Sequence, residues 1–273
     1  MNEPTTNPGG ASVLDAVLSD LAAESQQLDS WVAALPADGW ATVTTPEGWT
    51  VASQIGHLHW TDQASLAAIT DQEEFGRGMK IAASNPTGYV DEAAEEMALL
   101  PPEELLAGWR EGRVALDAAL REVPAGEKIP WFGPPMSPAS MATARIMETW
   151  AHSHDVGEAL GLPIPQTSRA KHVCHIGVRA RGFAYLVRGE ELPTDEVRVE
   201  LTGPDGDLWT WGPEDATERV TGSGYDFALL ATRRRHLDDL DVRAEGDSAA
   251  HWLTIAQAFA GMPGNDPVRL ADR

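Results

Sequence analysis

The feature that most restricts this chain is a change of hydrophobic period part-way along it. Up to about residue 165, apolar side chains return every three or four positions; beyond about residue 190 they alternate in short runs. The first pattern puts apolar groups on one stripe of a helix, and the second puts them on one face of a strand. Leu14, Val17, Leu18, Leu21, Leu28, Trp31, Val32 and Leu35 make one helical stripe, which Pro36 ends. A second helix starts after Thr50, a suitable N-cap, and is expected to run to about Phe75. A loop holding Gly76, Gly78, Asn85, Pro86 and Gly88 is expected to follow. A third helix opens at Pro101 and Pro102, with Glu103 and Glu104 in its first turn, where prolines and acids suit the free N–H groups. Ser137 or Ser140 can cap a fourth, MATARIMETWAHSHDVGEALG, which Gly161 and Pro163 terminate.

Four long helices with intervening loops predict an antiparallel helical bundle over residues 11–165. Residues 1–10, polar with Pro8, Gly9 and Gly10, are expected to be disordered. A linking helix is expected over 166–190. After it, VRVELTG, DLWTW, ERVTG and LDVRAEG read as short strands, with Pro204-Asp205-Gly206-Asp207 as a hairpin turn. Helices at YDFALLATRR and SAAHWLTIAQAFAG complete a small α+β domain over 191–273, with a short antiparallel sheet. The fold class is therefore α+β.

Composition excludes several function classes. Acidic residues outnumber basic ones by 42 to 20, for a formal charge of −22, which repels nucleic acid and anionic lipid. No stretch approaches the ~18 uninterrupted apolar residues of a membrane span. The first residues lack the basic and apolar regions of a signal peptide. A single cysteine, Cys174, excludes an internal disulfide. A cytoplasmic location is expected.

The fourth helix carries the chemistry. Arg145, Glu148, His152 and Asp155 follow at spacings of three, four and three, and so share one stripe amid apolar neighbours. Facing solvent, such a row is an ordinary salt-bridged surface. Facing the bundle interior, each group costs several kcal/mol unless it is paired or bound to a metal. The second helix offers His57 and His59 in IGHLHWTD. A Glu and a His four apart on one helix, with a His from another, make the three-donor set of a catalytic zinc site, which keeps a fourth position open. The same donors also suit iron or nickel. The order Glu-x-x-x-His differs from the His-Glu-x-x-His of zinc peptidases.

Trp49-Thr-Val-Ala-x-x-Ile-x-His57-Leu, with the later Arg145-x-x-Glu148-x-x-x-His152-x-x-Asp155, resembles the DinB-like metalloenzyme superfamily. Within it, the chain is most similar to the branch typified by mycothiol-dependent maleylpyruvate isomerase. The resemblance implies a DinB-like bundle with zinc on His57, Glu148 and His152, followed by a C-terminal domain often described as sterol-carrier-like. It selects His57 over His59. On the wheel His59 shares the stripe of Ile55, Asp62, Leu66 and Ile69, and is expected to line the pocket. Asp155 is a candidate acceptor for a ligand imidazole, and Arg145 could orient Glu148 or bind an anionic substrate. Among Arg233, Arg234 and Arg235, the resemblance matches Arg233 to an arginine that reaches the metal cleft. It implies mycothiol or another small thiol as cosubstrate, a small electrophilic substrate, and a homodimer as a further expectation.

Other candidates have plainer readings. His172 and His175 share a helix face with Cys174 between them, a packed or exposed surface before a second metal site. Trp60, Trp131 and Trp150 could line a pocket. The functions that remain are a thiol-activating isomerase or transferase, a thiol-independent metalloenzyme acting as lyase, cyclase or hydrolase, and a non-catalytic metal- or lipid-binding protein.

Overall fold

The structure, a computed structural model, describes residues 12–262 and 264–272. The expected disorder of residues 1–10 lies outside them. Six helices fill the first part: α1 Val13–Val32, α2 Val51–Thr70, α3 Gln72–Ser84, α4 Tyr89–Ala98, α5 Pro102–Glu122 and α6 Pro138–Ala159. Ser12 caps α1 in a capping box with Asp15, and Ser137, rather than Ser140, caps α6. Thr50 caps α2 as expected, its hydroxyl accepting from the Ser53 N–H. Of the stretch expected as a loop after Phe75, residues 76–84 are helical, and Asn85, Pro86 and Gly88 lie in the turn between α3 and α4. Asp71 accepts from the Glu74 N–H and opens α3, which carries Gly76 and Gly78 within it.

Two layers of the bundle core reveal its topology. One joins Val17 and Leu18 at the start of α1, Ala68 at the end of α2, Leu116 and Leu120 at the end of α5, and Met141 and Ile146 at the start of α6. The other joins Leu28 and Val32, Val51 and Ile55, Leu105 and Trp109, and Val156, from the opposite ends of the same helices. The order is therefore up-down-down-up. The chain-adjacent pairs α1/α2 and α5/α6 are antiparallel, while the packed pairs α1/α6 and α2/α5 run parallel. A parallel neighbour requires the chain to return along a helix about 30 Å long. The α3–α4 crossover supplies that return. Gly56 lets α4 lie close on α2: a Cβ there would sit 2.7 Å from the Ala94 carbonyl oxygen.

Helix α6 is buried on nearly every side. Met141 and Ile146 join one bundle layer and Val156 the other. Met147, Trp150 and Ala151 enter the core of the C-terminal unit. The row Arg145, Glu148, His152, Asp155 therefore faces protein and not bulk solvent.

The expected linking helix is two, α7 Ala170–Arg179 and α8 Arg181–Leu186, broken at Ala180. Four strands follow, β1 Val197–Thr202, β2 Leu208–Trp211, β3 Glu218–Ser223 and β4 Val242–Glu245, with α9 Gly224–Ala231 and α10 Asp247–Ile255. The sheet order is β2-β1-β3-β4. The expected antiparallel sheet is mixed. β1 and β2 form the antiparallel hairpin, but β3 adds to the other edge of β1 and pairs with it in parallel, Val199 opposite Val220. β2 ends opposite Val199, near the start of β1, and the short 212–217 connection lets β3 begin opposite Val197 and run in the direction of β1. Val199, Leu201 and Val220 pack with α7, α9, α10 and the shared face of α6.

Candidate metal centre

Helices α2 and α6 bring together His57, Glu148 and His152, whose donor atoms all lie within 4.8 Å of one another. His57 Nε2 is 3.3 Å and His152 Nε2 3.4 Å from the same Glu148 Oε2. The histidine side chains are 8% and 9% exposed and that of Glu148 20%, so the site opens on the carboxylate side. Among the described residues this is the one such cluster. Burial would raise the Glu148 carboxyl, but the imidazoles of His152 and His57 beside it, with the Arg145 charge, hold it well below its ordinary value. Burial, reinforced by His57, lowers the His152 imidazole to about 3. An ionised carboxylate and a neutral imidazole thus meet across a gap that a hydrogen bond fills poorly. The residues present fit a divalent cation: two imidazole nitrogens and a carboxylate converge, with one side open.

Aromatic rings wall the site. Trp49 stacks on His152, with centroids 5.8 Å apart and planes at 20°, and tilts against His57 at 5.6 Å. Trp60 lies 5.9 Å from His57 and continues into Tyr89 and Phe132. Of the three tryptophans singled out in the sequence, Trp60 alone touches a cluster residue. Trp131 stacks on Phe75 and lies beneath Arg145, and Trp150 packs in the C-terminal core.

Arg145, its side chain 3% exposed, lies between Glu148 Oε1 at 3.7 Å and Asp62 Oδ1 at 4.0 Å. Burial pushes the Asp62 carboxyl up to about 6 despite the charges of Arg145 and Arg113.

His59 is not brought to the cluster. Two residues beyond His57, it points to α5, where a Cβ on Gly108 would be 3.0 Å from its Nε2, and Gln63 Nε2 is 3.0 Å from that nitrogen. Burial lowers its pKa. The space left by Gly108 and Gly112 explains why an imidazole fits there.

Arg233 also lies elsewhere, paired with Asp266. Among the described residues it is the non-glycine one with positive φ, 59°, at the end of α9. Arg233 N–H donates to the Leu230 carbonyl and Arg234 N–H to that of Leu229, the double bond pattern of a Schellman motif. The reversal aims the next two side chains back at α6. Arg234 holds Asp155 with Nη2 2.7 Å from Oδ2, and Arg235 pairs with Glu158. Asp155 therefore serves Arg234, and His152 Nδ1 instead meets Gln54 Oε1. Sequence reasoning missed both Arg234 and Gln54. Gln54 sits one turn before His57 but on the fully buried side of α2, which a lone glutamine does not advertise.

The other cluster is structural. His172 pairs with Asp20 at 2.8 Å, His175 accepts from Trp211 Nε1, and the buried Cys174 thiol donates to the Gly224 carbonyl.

Comparison with known proteins agrees with this geometry. The family described as mycothiol maleylpyruvate isomerase N-terminal domain matches residues 21–157, which span both ligand helices. A second family, described as wyosine base formation, matches residues 193–245. Uncharacterized proteins from two strains of Mycobacterium tuberculosis are each 56% identical over 247 residues, covering 90% of this chain and 96% of theirs. Crystal structures of the mycothiol-dependent maleylpyruvate isomerase, wild type and a histidine-to-alanine mutant, superpose with a TM-score of 0.57 at 15% identity. They cover 85% of this chain and 92% of their own, a likeness of fold. Among the described residues no helix is long and apolar enough to cross a membrane. On the match across its helical bundle, the chain belongs to the mycothiol maleylpyruvate isomerase N-terminal domain family.

Proposed function

We propose that this protein is a metal-dependent enzyme that uses a small thiol, with mycothiol the first choice, to isomerise or conjugate a small electrophilic metabolite. His57, Glu148 and His152 would hold the metal, with zinc the best fit to two imidazoles and a carboxylate. The observation that carries the reading is the approach of both Nε2 atoms to one Glu148 oxygen, at 3.3 and 3.4 Å, in a site open on one side. The family match supports the thiol. A divalent cation bound there would supply a Lewis acid that keeps a coordinated thiol deprotonated at neutral pH.

The protein's own residues set the surroundings. Trp49 and Trp60 shield both imidazoles and offer flat apolar walls to an unsaturated substrate. Arg145 balances the charges of Glu148 and Asp62. A thiolate in this cleft adds to one carbon of an activated alkene, leaving a single bond about which the adduct rotates. Elimination of the thiolate restores the double bond in the other geometry; protonation of the adduct gives the conjugate.

The test is elemental analysis of purified protein, followed by turnover of activated alkenes with and without added thiol. About one metal per chain and strict thiol dependence are expected. Turnover undiminished without thiol removes the thiol from the reading, and failure to take up zinc, nickel or iron removes the metal.

A further inference from the structure

Gln54 is fully buried between His152 and Thr44. The polarity of its amide follows from a backbone group. The Trp49 carbonyl can only accept, and it receives the Thr44 hydroxyl at 3.1 Å as well as the Thr44 N–H at 2.8 Å. A hydroxyl has one proton, so the Thr44 oxygen is left to accept from Gln54, whose Nε2 lies 2.8 Å away. This assignment turns Gln54 Oε1 toward His152 Nδ1. A carbonyl oxygen there requires a proton on Nδ1. In the neutral imidazole the bare nitrogen is then Nε2, the atom directed at Glu148. The reversed amide would withdraw the hydroxyl from Trp49.

We propose that Gln54 is a positioning residue that fixes His152 in its Nδ1–H tautomer, so that the Nε2 lone pair is presented to the cation before any cation arrives. The inference rests on the metal reading above and adds a residue to it. The information runs from the Trp49 carbonyl through Thr44 and Gln54 to His152. His57 has no counterpart, since its buried Nδ1 has no hydrogen-bond partner among the described residues. The two imidazoles are thus unequal, and His152 is the one oriented in advance.

Two measurements test it. Long-range proton–nitrogen NMR of the metal-free protein separates the two neutral tautomers, and His152 is expected as Nδ1–H. Zinc affinity, from competition with a chelator, is expected to fall about 10- to 100-fold in Gln54→Leu, the range for loss of a residue that orients a metal-bound histidine. A wild-type His152 protonated on Nε2, or a folded Gln54→Leu with undiminished affinity, overturns the proposal. A wild type that takes up no zinc overturns the metal reading instead, and the metal-free spectrum still decides the role of Gln54.

Discussion

Arg234, in the turn after α9, donates from Nη2 to Asp155 Oδ2 at 2.7 Å, three residues after His152. The Asp155 side chain is 2% exposed and that of Arg234 16%, so this is a buried pair joining the C-terminal unit to the ligand helix. Burial raises the Asp155 carboxyl, and the Arg234 and Arg235 charges oppose that rise. Removing one partner of such a pair leaves an uncompensated charge. Arg234→Ala should therefore cost about 3 kcal/mol in urea unfolding. Asp155→Asn combined with Arg234→Ala should cost much less than the two single changes added. Additive costs would show that the pair is not coupled.

Metal binding should appear as stability. A cation that binds only the folded protein adds RT ln(1 + [L]/Kd), about 2.7 kcal/mol at a hundredfold excess over Kd. Zinc should raise the melting temperature of the wild type and leave His57→Ala, Glu148→Ala and His152→Ala unmoved. Differential scanning fluorimetry with and without zinc reads this directly. An equal rise in all four proteins would place binding elsewhere.

Asp62 gives the stability a pH dependence of definite sign. Its carboxyl loses a proton near 3.8 when unfolded and near 6 when folded, because burial disfavours the charge. Between those values the folded state holds more protons, so stability falls as pH rises through the window and changes no further above it. The gap of about two pH units, at about 1.4 kcal/mol each, amounts to about 3 kcal/mol. Measured from pH 4 to pH 7, wild-type stability relative to Asp62→Asn should decline by roughly that amount. A difference that stays flat with pH would refute the assignment.

Two glycines on neighbouring helices should respond oppositely to alanine. A Cβ at Gly56 would lie 2.7 Å from the Ala94 carbonyl oxygen and 3.1 Å from Met97 Cβ, so α4 must move. Gly56→Ala should cost about 1–3 kcal/mol. Gly76, inside α3, has nothing within 4 Å of its Cβ position, and Gly76→Ala should stabilise by about 0.5–1 kcal/mol through helix propensity. Thermal unfolding of both variants checks the pair of signs.

The long helices, the hairpin and the pairing of Glu148 with His152 could be read from the sequence, because each depends on spacing along one element; His57 came from the resemblance. What escaped the sequence depends on what lies across from an element. Spacing alone left His57 and His59 undistinguished, because the room that Gly108 and Gly112 make for His59 lies on α5. Helix α3 was hidden by Gly76 and Gly78, whose low propensity its neighbours outweigh. The turn after α9 carries Arg233 where a glycine would have announced it, so the three arginines could not be assigned directions. The parallel β1–β3 pairing follows from which edge β3 joins, and no strand records that in its own residues.

The up-down-down-up order also bears on how the protein is made. His57 and Glu148 are 91 positions apart in the chain, and Gln54 and His152 are 98. No short segment contains a usable set of donors, unlike a zinc finger, whose ligands lie within one hairpin and helix. Closing so long a loop carries its entropy cost before any ligand pair forms. A cation therefore has nothing to grip until α2 and α6 are already side by side. Its effect should fall on the rate at which the finished bundle comes apart, with the rate of its assembly unchanged.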